Sequence, residues 1–198
     1  MIVLSKKMND IRLNKAVELS DKINKELSEL EMPNAKFNAY VEYNQDNRFN
    51  KNGLNDVEFL IATNVGDEEK PLIKIASGGE MSRIMLAIKT VLAEIDKVPV
   101  LIFDEIDTGI SGKTSKVVGE KIKNISKNYQ ILMITHQATI AAKGDYNYYI
   151  SKQVDNGKTR TNIKVLNEQE TLEEIARIAS GEVTELAIEH AKELRNIA

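Results

Sequence analysis

Two short apolar runs, "VLIF" at residues 100–103 and "QILMI" at 130–134, sit on either side of a helical pattern. A helical pattern also precedes the first run and a shorter one follows the second. The readings are a helix over Glu80–Ile95, a strand over Pro99–Phe103, a helix over Gly112–Ile125, a strand over Gln130–Ile134 and a short helix over Gln137–Lys143. Strands that alternate with helices in this way predict an α/β domain with a mostly parallel sheet and flanking helices. The run at 100–103 is apolar at every position, which predicts a strand buried on both faces.

The rest of the chain is organised around that unit. Residues 1–31 carry no Gly or Pro, and Leu4, Met8, Ile11, Ala16, Leu19, Ile23, Leu27 and Leu30 recur mostly three or four apart. The pattern predicts one helix roughly 45 Å long. Two readings stand side by side: a helix packed on its own domain, and a coiled-coil arm. The segments "AKFNAYVEY" and "DVEFLIATN" flank an Asn/Gly-rich stretch and predict an antiparallel pair. "YNYYISKQV" and "RTNIKVLN" predict a second hairpin turning at Asn156-Gly157. Two helices, Thr171–Ala179 and Val183–Ile197, close the chain. The domain division expected is 1–31 as the arm and 32–198 as the α/β unit.

Composition excludes several functions. The 198 residues include no cysteine, so disulfides, cysteine zinc sites and thiol chemistry are excluded. Lys plus Arg number 27 against 30 Asp plus Glu, a net charge of −3 that gives no general pull toward nucleic acid. Lys6, Lys7, Lys121, Lys123 and Lys127 read equally well as local basic patches and as solvated helix faces. No apolar run approaches the roughly 20 residues of a membrane-spanning helix, and the N-terminus turns charged too early for a signal peptide. The expectation is a cytoplasmic protein without membrane contact.

Gly112-Lys113-Thr114 looks like the end of a phosphate-binding P-loop. The position that would need the loop's first glycine is Asp107. Asp104, Glu105 and Asp107 also put three carboxylates where a triphosphate would lie. A free-standing P-loop kinase is therefore disfavoured. The carboxylates suit the opposite role. Asp104 follows the apolar strand at its carboxyl end, where open α/β sheets bind ligands. There it can hold Mg²⁺, and Glu105 can polarise a water as general base. The plain alternative is a solvated turn after a strand.

Two further segments bear on this choice. Ser77 and Glu80 have capping-box spacing, yet the box does not require the glycines at 78 and 79. Gly78 and Gly79 expose amides at a helix N-terminus and so offer an anion site. Downstream, His136, one of two histidines, follows the second apolar run and is expected beside Asp104 at the same sheet edge. His190 reads as solvent-facing. Met81, Ile84 and Met85 read as core, and Arg83 either approaches a nucleotide or pairs with a carboxylate.

The strings "IASGGEMSRIMLAIK", "LIFDEIDTGISGKTSKVVGEKI" and "ITHQATIAAKGDYNYYISK" resemble the C-terminal lobe of ABC-type ATPase heads in the SMC-like branch. The likeness is strongest to the RecN family of bacterial DNA repair proteins, specific over residues 72–152 and looser elsewhere. It implies that residues 1–31 are the descending arm of a coiled coil. Ser77, Gly78, Gly79 and Glu80 would be the signature motif that touches ATP held by the opposite head. Asp104 would be the Walker B aspartate on Mg²⁺ and Glu105 the catalytic base. Asp107 would begin the D-loop at the dimer interface, and His136 would be the switch histidine. The implied cofactors are ATP and Mg²⁺. The implied partners are an N-terminal P-loop lobe of the same protein, a second head in a homodimer, and DNA in the complete protein. No P-loop or Q-loop occurs in this sequence, so the chain alone is expected to be inactive and to bind nucleotide poorly. Ala76 and Glu80 depart from the residues common in transporters and point to the SMC-like branch. A different class remains open: a nucleotide-switched interaction or DNA-bridging module with little catalysis of its own.

Overall fold

The computed structural model describes residues 2–44, 53–75, 77–93, 95–155 and 158–196. The turn expected at Asn156-Gly157, the departure at Ala76, the end of the last predicted helix and most of the Asn/Gly-rich stretch fall outside the described residues. The chain divides into two compact units, Met1–Pro99 and Val100–Ala198.

The first unit is a helix laid on an antiparallel sheet. α1 spans Ile2–Glu29, as expected of a segment free of helix breakers. β1 (Lys36–Tyr43) pairs antiparallel with β2 (Asn55–Ala62), from Lys36 opposite Ala62 to Tyr43 opposite Asn55. A two-residue strand, β3 (Lys70–Pro71), extends the sheet beyond β2. Phe37 is buried, and its ring centroid lies 5.3 Å from that of Phe59. The last turns of α1 bury Ile23 and Leu27, and Leu30 follows them into the core. Its first turns expose Leu4 and Ile11. The C-terminal turns of α1 thus pack on their own unit, and nearer its start Arg12 still donates to Asn55 Oδ1 of β2 at 2.9 Å while Leu4 and Ile11 stay exposed. α2 (Gly78–Leu92) begins two residues earlier than expected and packs against α1. Ile84 is fully buried, while Met81 and Met85 are only half-buried.

The second unit holds the parallel strands. β4 (Val100–Phe103) pairs in parallel with β5 (Gln130–Met133), and α3 (Gly112–Ile125) forms the crossover. Among the described residues the parallel order expected for the sheet is confined to this pair, and the remaining strand pairs are antiparallel. The expectation of a strand buried on both faces does not hold for β4. Leu101 and Phe103 are buried, whereas Ile102 is 68% exposed. Successive side chains point to opposite faces of a strand, and only one face of β4 is covered among the described residues.

α4 (Ala138–Ala141) follows β5 and packs against α3. β6 (Tyr148–Asp155) and β7 (Lys158–Val165) form an antiparallel hairpin. α5 (Glu168–Ser180) and α6 (Glu185–Arg195) then build a small core with α4 from Ala138, Ala142, Leu172, Ile175, Ala176, Ala187 and Ala191. The alanines let these helices approach closely, and the isoleucine and leucine fill what remains. His190 on α6 is exposed, as expected. Among the described residues no helix is long and apolar enough to cross a membrane.

Candidate functional site

The second unit brings four of the candidates to the carboxyl ends of β4 and β5. Asp104 directly follows β4. The ladder extends one residue past β5, where the Ile134 amide donates to the Phe103 carbonyl at 3.0 Å. His136 therefore comes two residues after the last rung, beside the segment that begins at Asp104.

The chain turns sharply after Asp104. Glu105 has φ of 58°, in the left-handed region, and the Thr108 amide donates to the Glu105 carbonyl at 3.0 Å. Such a φ is uncommon for a residue with a Cβ and costs about 1–2 kcal/mol. Strand alternation continued past Phe103 would aim Asp104 and Glu105 to opposite sides. The strand has already ended at Phe103, so this turn sets the direction of Glu105 instead. Both Asp104 and Glu105 are exposed, and Ile106 drops into the core with no exposed surface.

Asp107 is 1% exposed. Its Oδ2 accepts a hydrogen bond from the Thr135 hydroxyl and another from the His136 amide at 2.9 Å. The same oxygen lies 3.3 Å from His136 Nδ1. Thr135 Oγ1 in turn accepts from the Gln137 amide at 3.0 Å. A buried carboxylate is tolerated only where donors replace water, and here the donors come from the loop after the neighbouring strand. The Asp107 carboxylate is turned inward onto Thr135 and His136. Thr108 and Gly109, with φ of 72° at the glycine, are exposed beyond it.

Gly112-Lys113-Thr114 opens α3. Ser111 caps the helix by accepting from the Thr114 amide at 3.4 Å, and the two hydroxyls lie 3.0 Å apart. Thr114 is 1% exposed. Its hydroxyl is therefore committed inside the unit, where a P-loop threonine would have to reach a metal ion. One turn on, Ser115 donates to the Gly112 carbonyl, and its hydroxyl lies 2.6 Å from that of Thr139 in α4. A Cβ on Gly119 would come within 3.3 Å of Lys143 Cγ and 3.4 Å of the Thr139 carbonyl oxygen, so α3 and α4 touch closely there.

The other candidates belong to the first unit. Ser77 caps α2, its hydroxyl accepting from the Glu80 amide at 3.4 Å. Gly78 is exposed at the first position of the helix and Gly79 is buried. The arrangement leaves a helix N-terminus with a glycine at its surface, as the anion-site reading requires. Arg83, one turn along, is buried. Burial pulls its guanidinium below the ordinary value, and the charge of Glu80 opposes that shift.

The donor set suits a metal ion carried largely by a nucleotide. Mg²⁺ keeps several waters and is held by one or two carboxylates plus phosphate oxygens. Asp104 supplies one exposed carboxylate at the strand end, and no cluster of three or more ligating side chains occurs among the described residues. Thr135 is the residue of this site that sequence reasoning left without a role. Only the register of β4 against β5 brings position 135 to position 107.

No family model matches the sequence. Among solved structures, the Smc head domain of Pyrococcus yayanosii, with a coiled coil and joint, superposes with a TM-score of 0.56 at 21% identity, covering 86% of this chain and 30% of that one. The Smc head domain of Pyrococcus furiosus, solved with an extended coiled coil and bound to the C-terminal domain of ScpA, gives 0.50 at 22% identity, covering 78% and 36%. These likenesses establish a fold shared with SMC heads. Sequence relatives lie closer. The DNA repair protein RecN of Halalkalibacterium halodurans is 43% identical over 99% of this chain, and that of Bacillus subtilis 40% over 94%. RecN of Haemophilus influenzae is 39% identical over 94%. The alignments cover 35%, 35% and 33% of those proteins, so the chain spans about a third of the relatives' length. With the fold of an SMC head and this identity along nearly all its residues, the chain belongs to the RecN family.

Proposed function

We propose that the chain is the C-terminal half of an ATP-binding and ATP-hydrolysing head of a RecN-type protein, acting in recombinational repair of DNA double-strand breaks. What supports the reading is that Asp104 and Glu105 follow β4 while His136 follows the parallel neighbour β5, with the Asp107 carboxylate joining the two strand-end loops. The named relatives, all DNA repair proteins, support the biological setting. The partners are an N-terminal P-loop lobe, a second head and, in the complete protein, DNA. The setting is the cytoplasm, at the nucleoid.

Each residue has a defined part. Asp104 holds Mg²⁺, which when bound with ATP neutralises charge on the phosphate oxygens. Glu105 polarises the attacking water and takes its proton. His136 would face the terminal phosphate of a bound nucleotide. Ser77, Gly78, Gly79 and Glu80 present amides and a hydroxyl to the nucleotide of the opposite head. The nest of amides that grips most of the triphosphate comes from the P-loop lobe, so this chain alone turns over no ATP.

The test mixes this chain with a separately expressed P-loop lobe of the same protein and follows phosphate release in Mg-ATP. Turnover should appear only in the mixture. If the two lobes associate, shown by sedimentation, and still release no phosphate, the reading fails.

A further inference from the structure

The loop after β5 is fastened at one atom. Asp107 Oδ2 receives the Thr135 hydroxyl and the His136 amide, and Nδ1 of the His136 ring lies 3.3 Å from that same oxygen. Holding the loop requires only the first two. The ring contact is additional, and it concerns chemistry more than packing, because the His136 side chain is otherwise 68% exposed.

We infer that Asp107 is a positioning residue for His136: it fixes the proton of the neutral imidazole on Nδ1 and directs Nε2 away from the protein. In a neutral imidazole one nitrogen donates and the other accepts, and the partner of one nitrogen decides the state of the other. Oδ2 already accepts two hydrogen bonds, so the nitrogen beside it is the one placed to donate. Nε2, on the far side of the ring, is left as the acceptor and as the one position open to proton exchange. The ring then offers the Nε2 lone pair to whatever group stands in front of it. The consequence for catalysis rests on the nucleotide-facing reading of His136; the tautomer itself does not.

The chain has two histidines, which makes the test direct. Uniformly ¹⁵N-labelled protein is examined at alkaline pH, where imidazole is neutral, by two-bond proton–nitrogen correlation. His190→Gln assigns the signals. The expected result is a His136 ring mostly protonated at Nδ1, the form a free imidazole disfavours. Asp107→Ala should turn the majority into a minority, with the ring reverting to Nε2–H. Asp107→Asn, which keeps an oxygen where the Thr135 hydroxyl and His136 amide converge, should lower the Nδ1–H fraction less. Should the alanine variant lose its dispersed amide spectrum, the wild-type protein and the asparagine variant decide. A wild-type ring mostly protonated at Nε2 overturns the proposal, and so does an Nδ1–H fraction that neither variant lowers. The spectrum needs neither nucleotide nor P-loop lobe. It can therefore fail while ATP turnover in the mixture stands, and the reverse.

Discussion

Asn24 meets Phe37 as one strand meets another. Its side-chain nitrogen donates to the Phe37 carbonyl at 3.0 Å, and its side-chain oxygen accepts from the Phe37 amide at 2.7 Å. One turn earlier, Ser20 Oγ accepts from the Ala39 amide at 2.9 Å. β1 is the edge strand of its sheet, and α1 covers that edge with side-chain hydrogen bonds. An uncovered edge would offer those groups to another chain.

Asn24→Ala leaves both Phe37 backbone groups without these partners, at a cost of about 1–3 kcal/mol. The expected outcome is a lower urea midpoint and faster hydrogen exchange at the Phe37 amide. Asn24→Asp keeps the acceptor but sets a carboxylate against the Phe37 carbonyl, so it should be destabilising as well. Unchanged exchange at Phe37 in both variants would show that α1 does not seal this edge.

Much of this architecture is legible in the residues, for local reasons. α1 has no breaker, and the runs at 100–103 and 130–134 are bounded by turn-forming residues, so their elements emerge within a residue or two. β3 is not legible, because two residues reading Lys-Pro carry no alternation. The N-terminal turn of α5 is carried by its cap and not by apolar periodicity. Asn167 and Glu170 form a full capping box three residues ahead of where the periodicity begins. The one-sided exposure of β4 cannot be read from a run that is apolar throughout. Asp104 and His136 could be assigned to one edge from the parallel order alone. The inward turn of Asp107 could not, since it depends on Glu105 adopting a left-handed backbone that glutamate does not favour.

Glu105 carries two separable properties, its carboxylate and its backbone angle. Glu105→Gln keeps the side-chain size and removes the base. With the P-loop lobe present, hydrolysis should fall by about 100-fold or more, while ATP-driven association of heads persists. Glu105→Gly also removes the carboxylate but relieves the left-handed strain, and it should be no less stable than wild type. Glu105→Val, β-branched at the same φ, should lose about 1 kcal/mol or more. Phosphate release and urea denaturation on the same three proteins separate the two properties. Full turnover in the glutamine variant would exclude Glu105 as the base.

Gly119 is where α3 and α4 come together. A Cβ there meets Lys143 Cγ, the Thr139 carbonyl oxygen and, at 3.7 Å, Ile140 Cα. Gly119→Ala gains about 0.5–1 kcal/mol from the helical backbone and loses a similar amount to the tight contact, so its stability should stay close to wild type. Gly119→Leu has no such balance. It must push α4 away from α3, strain the Ser115–Thr139 hydroxyl pair and cost about 1–3 kcal/mol. The check is thermal unfolding of the two variants, and equal stability would mean the helices are not in close contact here.

Glu170 links stability to pH. Its carboxyl is held below the ordinary 4.5, chiefly by the Lys164 ammonium and next by the Asn167 amide, which donates to it at 3.1 Å. A carboxyl lowered on folding binds its proton less readily in the folded chain than in the unfolded one. Its contribution is therefore complete above 4.5, where both states are ionised, and is lost as pH falls through the depressed folded value. Glu170→Gln cannot make that contribution at any pH. The difference in urea midpoint between wild type and variant should thus be constant at neutral pH and shrink steadily as pH drops below 4.5. Lys164→Met should remove most of the same acid-side slope while leaving the Asn167–Glu170 cap in place, since the ammonium is the larger cause. A wild-type advantage that persists unchanged into strong acid would mean that Glu170 stabilises α5 by the geometry of the cap and owes nothing to its charge.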